Sequence, residues 1–266
     1  MAYRDDQLNA YLERIGFEGP VRADATTLDR LHRAHRFAIP FENLDIPLGR
    51  GIVLDRERLF DKLVTRRRGG YCFEQNALFF GMAETIGFEG RPLLARVWLA
   101  AEGVPPRTHT LNLVRLDGED SIVDVGFGGS FVPPLRLAAG AQAVTADGAR
   151  HRLTEDSDHG WLLERDGGDG WQRQYSFGLD RVWPGDLQAA NHFTATCPGT
   201  RFTTLRIVSA ATPEGYLSLI GRTLTASRMG KAETHEIADG EEYRRLLSER
   251  FGIDLTAEEI ERLDLF

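Results

Sequence analysis

The stretch RRRGGYCFEQN, residues 66–76, sits where the chain changes character, with helical spacing of apolar residues leading into it and strand-like alternation following from about Arg91. It also sets Cys72, one of only two cysteines, behind a glycine pair and at the head of the run CFEQNALFFGMAETIGF. That run is apolar on nearly every face apart from Glu74, Gln75, Asn76 and Glu84, the composition of a buried helix. Gly69 and Gly70 would permit a sharp turn, and Cys72 would then occupy the first helical turn, where unpaired N–H groups and the helix dipole favour negative charge.

Upstream, Leu8, Tyr11, Leu12 and Ile15 recur at helical spacing, as do Leu28 and Leu31 in TTLDRLHRAHRF, with Thr26 or Thr27 as the expected N-cap. DRERLFDKLVTRRR repeats the pattern through Leu59, Phe60, Leu63 and Val64, its arginines suited to the negative end of the helix. Downstream, PLLARVWLA, HTLNLVRL and SIVDVGF read as short strands, and GWLLERDGGDGWQRQYSF as a hairpin with a glycine-rich turn. After Pro184, TRFTTLRIVSA and LSLIGRTLTAS also read as strands, and GEEYRRLLSERFGI as an amphipathic helix. The outline is helical, then β, then α/β, within 266 residues that suit two or three folding units.

A formal net charge of −8 argues against a protein whose main task is neutralising nucleic acid phosphates or an anionic membrane surface. No window approaches the roughly 18 apolar residues of a membrane span, and the charged N-terminus lacks a signal-peptide core, so the expected location is the cytoplasm. Cys72 and Cys197 cannot build a disulfide scaffold and are expected as free thiols; no cysteine–histidine cluster has zinc-site spacing.

A thiol at its ordinary pKa of about 8.5 is only roughly 3% ionised at pH 7, so a nucleophilic cysteine needs a basic partner. On position alone, packing is the stronger reading of Cys72, and it is the reading for Cys197. His32, His35, His151 and His159 lie in arginine-rich or polar stretches and read as solvated surface. His109 differs, because alternation puts it on the same side as Leu111 and Leu113, where an imidazole needs a hydrogen-bond partner. Asp124, flanked by Val123 and Val125 in the next strand, is a carboxylate driven into an apolar sheet, costly unless paired. If the strands neighbour one another the two residues can meet, although an Asp that holds the glycine-rich turn remains the alternative. Cys72, His109 and Asp124 together satisfy the requirements for a nucleophile, a base and an orienting acid.

Four blocks, IPFENLD (39–45), RRRGGYCFEQN (66–76), PRTHTLNLV (106–114) and IVDVGFGG (122–129), give the chain a clear resemblance to the arylamine N-acetyltransferase family, with HFTATCPGTRF (192–202) and RFGIDL (250–255) as weaker matches. The resemblance implies an α+β multidomain fold with a cysteine-protease-like Cys-His-Asp core: a helical bundle over residues 1–83, a β-barrel over 84–188 and an α/β lid over 189–266. It places the triad on Cys72, His109 and Asp124, and the acceptor pocket on Phe41, Val97, Phe127 and Phe202, for each of which core packing is the bland alternative. It suggests Gly126 and His235 for coenzyme A. The implied activity is ping-pong acetylation of arylamines, aryl hydrazines or N-hydroxyarylamines through an acetyl-cysteine, with acetyl-CoA as donor substrate and no permanently bound cofactor. An amide synthase or another acyl donor on the same triad, or a binding protein with a buried Cys72, are the competing readings. For Arg66, Arg67 and Arg68 a phosphate-binding role stands against a solvated helix end, with Arg68 pairing a buried carboxylate such as Glu74.

Overall fold

The computed structural model describes every residue except Met1, Ala146, Glu214, Met229 and Gly230. Its first helices follow the apolar spacing: α1 (Asp5–Arg14), α2 (Ala25–Ala38), α3 (Arg56–Phe60), a π-helical continuation at Asp61–Thr65, and α4 (Cys72–Ile86). Asp24, rather than either threonine, caps α2 by accepting from the Thr27 N–H at 2.7 Å. Leu8, Tyr11, Leu28, Leu31, Leu63, Phe79 and Met82 form one buried cluster among these elements. α2 buries more than its leucines, because Leu28, Leu31, His32, His35 and Arg36 all face inward.

Between α2 and α3, β1 (Phe41–Glu42) leaves the helical layer altogether. The central strands are β2 (Glu89–Val97), β3 (Arg107–Leu116), β4 (Glu119–Val123), β5 (Leu135–Arg136), β6 (Gln142–Val144), β7 (Arg150–Asp156), β8 (Gly160–Asp166) and β9 (Trp171–Phe177). They pair antiparallel in the order β5-β4-β3-β2-β9-β8-β7-β6 and curl into a nearly closed barrel. Its interior is Leu93, Leu111, Leu113, Ile122, Leu153, Leu163 and Tyr175, the inward half of the alternation. The expected hairpin is β8–β9, with Gly168 and Gly170 at positive φ in its turn.

The last third contains α5 (Pro184–Thr196), α6 (Arg201–Thr204), β10 (Ile207–Thr212), β11 (Gly215–Ile220), β12 (Thr223–Arg228), β13 (Lys231–Glu236), α7 (Gly240–Phe251) and α8 (Ala257–Arg262). The stretch read as one strand from Thr200 is thus divided: the Thr200 hydroxyl caps a short helix through the Thr203 N–H, and the strand starts at Ile207. The sheet order is β1-β10-β11-β12-β13, so Phe41 and Glu42 complete a sheet whose other strands lie far along the chain. Asn43 extends that junction, donating to the carbonyls of Phe202 and Leu205 and accepting from the Ile207 N–H at 2.8 Å. Two boundaries expected from sequence fall inside helices, since α4 runs through residues 83 and 84 and α5 through 188 and 189. No described helix is long and apolar enough to cross a membrane.

Candidate active site

Cys72 opens α4 and is buried, 2% exposed, with Sγ 3.9 Å from the Thr108 carbonyl. The Glu74 carboxylate accepts from the Tyr71 N–H at 3.0 Å and so caps the helix just ahead of the thiol. The sharp turn expected at the glycine pair does not come from positive φ at either glycine. Arg67 takes the left-handed conformation, φ 53°, while Gly69 and Gly70 are needed for close approach. A Cβ on Gly69 would lie 2.3 Å from the Pro40 carbonyl oxygen, and one on Gly70 2.9 Å from Glu74 Oε2.

The three arginines ahead of that pair have separate fates. Arg66 is solvated and pairs with Asp61 at the helix end, whereas Arg68 is buried. Its partners are Glu42, at 2.6 Å, and Asp45, at 3.3 Å, rather than Glu74. Glu74 is taken instead by Lys62, whose ammonium lies 2.8 Å from both Glu74 and Asp45. Burial alone would lower the Lys62 pKa, but the carboxylates of Glu74, Glu42 and Asp45 raise it and keep the group charged. This buried ion network sits directly behind the start of α4, and through Asp45 and Arg50 it reaches Glu259 on α8.

His109 projects from β3 into the apolar interior, 3% exposed, packed against the rings of Tyr175 (5.1 Å) and Phe127 (5.3 Å). Its Nε2 lies 2.7 Å from Asp124 Oδ2, which leaves Nδ1 as the ring nitrogen free to serve the Cys72 sulfur that lines the same cavity. Burial pulls the His109 pKa down, but the Asp124 charge and hydrogen bond, with Cys72 adding to them, raise it to about 10. Asp124 follows directly after β4 and is 1% exposed. Burial disfavours its charge, yet the His109 imidazolium and hydrogen bonds from His109, Asn76 and the Gly126 N–H leave its pKa below the ordinary carboxylate range. His109 and Asp124 are therefore held as a buried ion pair beside the Cys72 sulfur.

Asn76 is the residue that sequence reasoning missed. One turn along α4 from Cys72, its Nδ2 donates to Asp124 Oδ1 at 3.0 Å and to the Thr110 carbonyl at 2.8 Å, while its Oδ1 accepts from the Val125 N–H at 3.1 Å. Its place four residues after Cys72, on the same helix face in an otherwise apolar helix, was the available signal. The solvated reading of three histidines is also overturned. His32 and His35 are fully buried: His32 Nε2 donates to the Asp124 carbonyl at 3.0 Å, and His35 bridges Tyr11 and Gln75. Burial pulls both pKa values down, that of His32 to about 4, so both are neutral hydrogen-bonding groups at pH 7. His151 is buried on β7, and burial with the nearby Arg165 lowers its pKa to about 4.

Cys72 and His109 open into a cavity of about 300 Å³ lined by all four expected pocket residues, Phe41, Val97, Phe127 and Phe202, together with Gly126, Leu99, Arg201, Ile207 and Ile220. Phe202 reaches it from the last third of the chain, 5.9 Å from Phe41 and 5.5 Å from Tyr71, ring to ring. His235 is not brought to this cavity; it lies exposed on β13, 2.9 Å from Glu242. A second cavity of similar size, between α2, the barrel and the β10–β12 sheet, carries Arg33, Ser130, Asp147 and Arg165 but, among the described residues, no cysteine or histidine. Among the described residues, the side chains close enough to share a metal ion are Asp156, Asp158 and His159 in the β7–β8 turn, and there Asp156 already binds His159 at 2.9 Å.

A profile of the N-acetyltransferase family matches residues 24–260. The arylamine N-acetyltransferase of Mycolicibacterium smegmatis is 39% identical over 255 residues, covering 93% of this chain and 92% of the relative. The solved arylamine N-acetyltransferase of Salmonella typhimurium superposes with a TM-score of 0.93 at 35% identity, over 99% of this chain and 100% of that one. The Mycobacterium marinum enzyme, solved in complex with CoA, gives 0.91 at 35% identity over 97% and 98%. With that likeness running the length of the chain, this protein belongs to the arylamine N-acetyltransferase family.

Proposed function

We propose that this protein transfers acetyl groups from acetyl-CoA to arylamines and aryl hydrazines through an acetyl-cysteine on Cys72. The observation that carries the reading is the Cys72–His109–Asp124 constellation, with a 2.7 Å His109–Asp124 bond, opening into an aromatic and aliphatic cavity.

In the first half-reaction Cys72 reacts as the thiolate, its proton already resting on His109 Nδ1, and Sγ attacks the thioester carbonyl. The C–S bond to CoA breaks and His109 returns the proton to the departing CoA thiolate. In the second, the amine attacks the acetyl-cysteine, the neutral His109 takes its proton, and the C–S bond breaks to release the amide and restore the Cys72 thiolate beside the His109 imidazolium. Asp124 holds the Nε2 proton throughout, so that Nδ1 faces the sulfur. The apolar walls formed by Phe41, Val97, Phe127 and Phe202 favour a flat aromatic acceptor and exclude water that would hydrolyse the acyl-cysteine.

The helical unit supplies the nucleophile, the barrel supplies His109 and Asp124, and the C-terminal unit acts as a lid through Phe202. Two free cysteines fit the reducing cytoplasm, and an acidic chain gives no reason for a nucleic acid or membrane partner. Intact mass spectrometry after mixing with acetyl-CoA tests the scheme: one added acetyl group on the wild type and none on Cys72→Ala is expected. Turnover of an arylamine without any such adduct would overturn the covalent route.

A further inference from the structure

Arg201 stands out in the wall of the Cys72 cavity. Apart from Cys72, His109, Thr108 and Ser218, the other described lining residues are apolar side chains or glycines, and no Asp or Glu is among them. The second cavity's arginines are already paired, Arg33 with Asp29 at 3.8 Å and Arg165 with Asp147 at 2.9 Å. Arg201 makes no ion pair among the described residues and is exposed at the first position of α6, immediately before Phe202. A chain of net charge −8 therefore presents an unpaired guanidinium at the edge of its apolar cavity, alongside a His109 held positive.

We propose that Arg201 is a specificity-determining residue that selects acceptors bearing an anionic group, an aminobenzoate being the simplest chemical class. The inference rests on the acetyl-transfer reading above. Scale decides which anion is read. A cavity of about 300 Å³ is about 8 Å across, and bonded distances put the carboxylate of a 4-aminobenzoate about 6 Å from its amine, within that span. The pantetheine arm separates the thioester of acetyl-CoA from its pyrophosphate by on the order of 15 Å, which carries the phosphates beyond the cavity. The planar guanidinium suits bidentate contact with a carboxylate, and the apolar neighbours strengthen it by displacing water.

Ping-pong kinetics separate the two substrates, so kcat/KM can be measured for 4-aminobenzoate, its neutral ethyl ester, acetyl-CoA and the phosphate-free donor 4-nitrophenyl acetate. In Arg201→Gln the acid-to-ester ratio of kcat/KM is expected to fall about tenfold, and further in Arg201→Glu, while the ratio of the two donors stays at its wild-type value. An unchanged acid-to-ester ratio overturns the proposal. So does a loss confined to acetyl-CoA against 4-nitrophenyl acetate, which would assign the cation to the donor's phosphates. If the acetyl-transfer reading itself were at fault, wild-type protein would fail with the neutral ester and both donors, an outcome separate from either.

Discussion

Replacing Asp124 with asparagine keeps the side chain's shape and removes one charge, and the geometry dictates how the amide must sit. Oδ1 accepts from Asn76 Nδ2 at 3.0 Å and from the Gly126 N–H at 2.9 Å, while Oδ2 accepts from His109 Nε2 at 2.7 Å. An asparagine has one oxygen, and two fixed donors hold it in the Oδ1 position, turning its NH2 toward His109. Two donors cannot face one another, so His109 gives up its Nε2 proton and keeps the one on Nδ1, toward the sulfur. The ring then offers the thiol no base. The charge that raises the His109 pKa to about 10 is gone as well, leaving burial, which lowers it. Both effects act in the same direction, and the expected loss in kcat/KM is about 10³- to 10⁴-fold, or about 4 to 5 kcal/mol of barrier. Iodoacetamide labelling against pH is the direct assay. Wild-type Cys72 should be alkylated rapidly at about pH 6, because its imidazolium partner persists up to about pH 10. The variant should label slowly there and speed up only above about pH 8. Stability follows the same charges. The raised His109 pKa stabilises the fold below about 6.5 and that stabilisation is lost as pH rises through about 10; the lowered Asp124 pKa stabilises above the ordinary carboxylate range and is lost on acidification. The melting-temperature gap between wild type and variant should therefore be widest near pH 5 to 6 and close towards about pH 10. Equal labelling rates at about pH 6, or turnover within about tenfold of wild type, would refute the reasoning.

Two further substitutions probe what holds Cys72 in place. An alanine at Gly126 would bring its Cβ within 2.7 Å of Cys72 Cα and 2.5 Å of Asn76 Nδ2, so α4 must move by about 1 Å to restore ordinary contact. A shift of that size is expected to cost about a hundredfold in kcat/KM, and activity within about threefold of wild type would show that the glycine is dispensable. Lys62→Met strands Asp45 and Glu74 without their buried cation, at about 3 to 5 kcal/mol, read as a fall of on the order of 10 °C in Tm. Adding Glu74→Gln should recover part of that fall; a single variant that melts with wild type would show the network to be energetically silent.

The sequence carried the local physics well. The glycine-led start of α4, the two-residue alternation that turns His109 inward, and the apolar flanks of Asp124 each state a requirement that the structure meets with a partner. Misreadings arose where burial comes from elements distant in the chain. Leu28, Leu31, His32, His35 and Arg36 follow the i, i+3, i+4, i+7, i+8 spacing of a buried stripe, but Arg30, Arg33 and Arg36 made the same helix look solvated. Arg68 finds its carboxylates 26 and 23 positions away, at Glu42 and Asp45, and no local pattern encodes that choice. Two residues, Phe41 and Glu42, are too few for any period to announce a strand.

That two-residue strand bears on when the molecule can mature. Phe41 closes onto β10, and Asn43 bonds Ile207 across 164 positions, so one wall of the Cys72 cavity waits for segments made near the end of synthesis. Loop closure over such a span is slow to nucleate, and the helical layer must hold together meanwhile with Phe41 and Tyr71 uncovered by Phe202. A nascent chain released before residue 207 would possess Cys72, His109 and Asp124 yet lack Ile207, Ser218 and Ile220 of the cavity wall, which couples closure of the cavity to completion of the polypeptide.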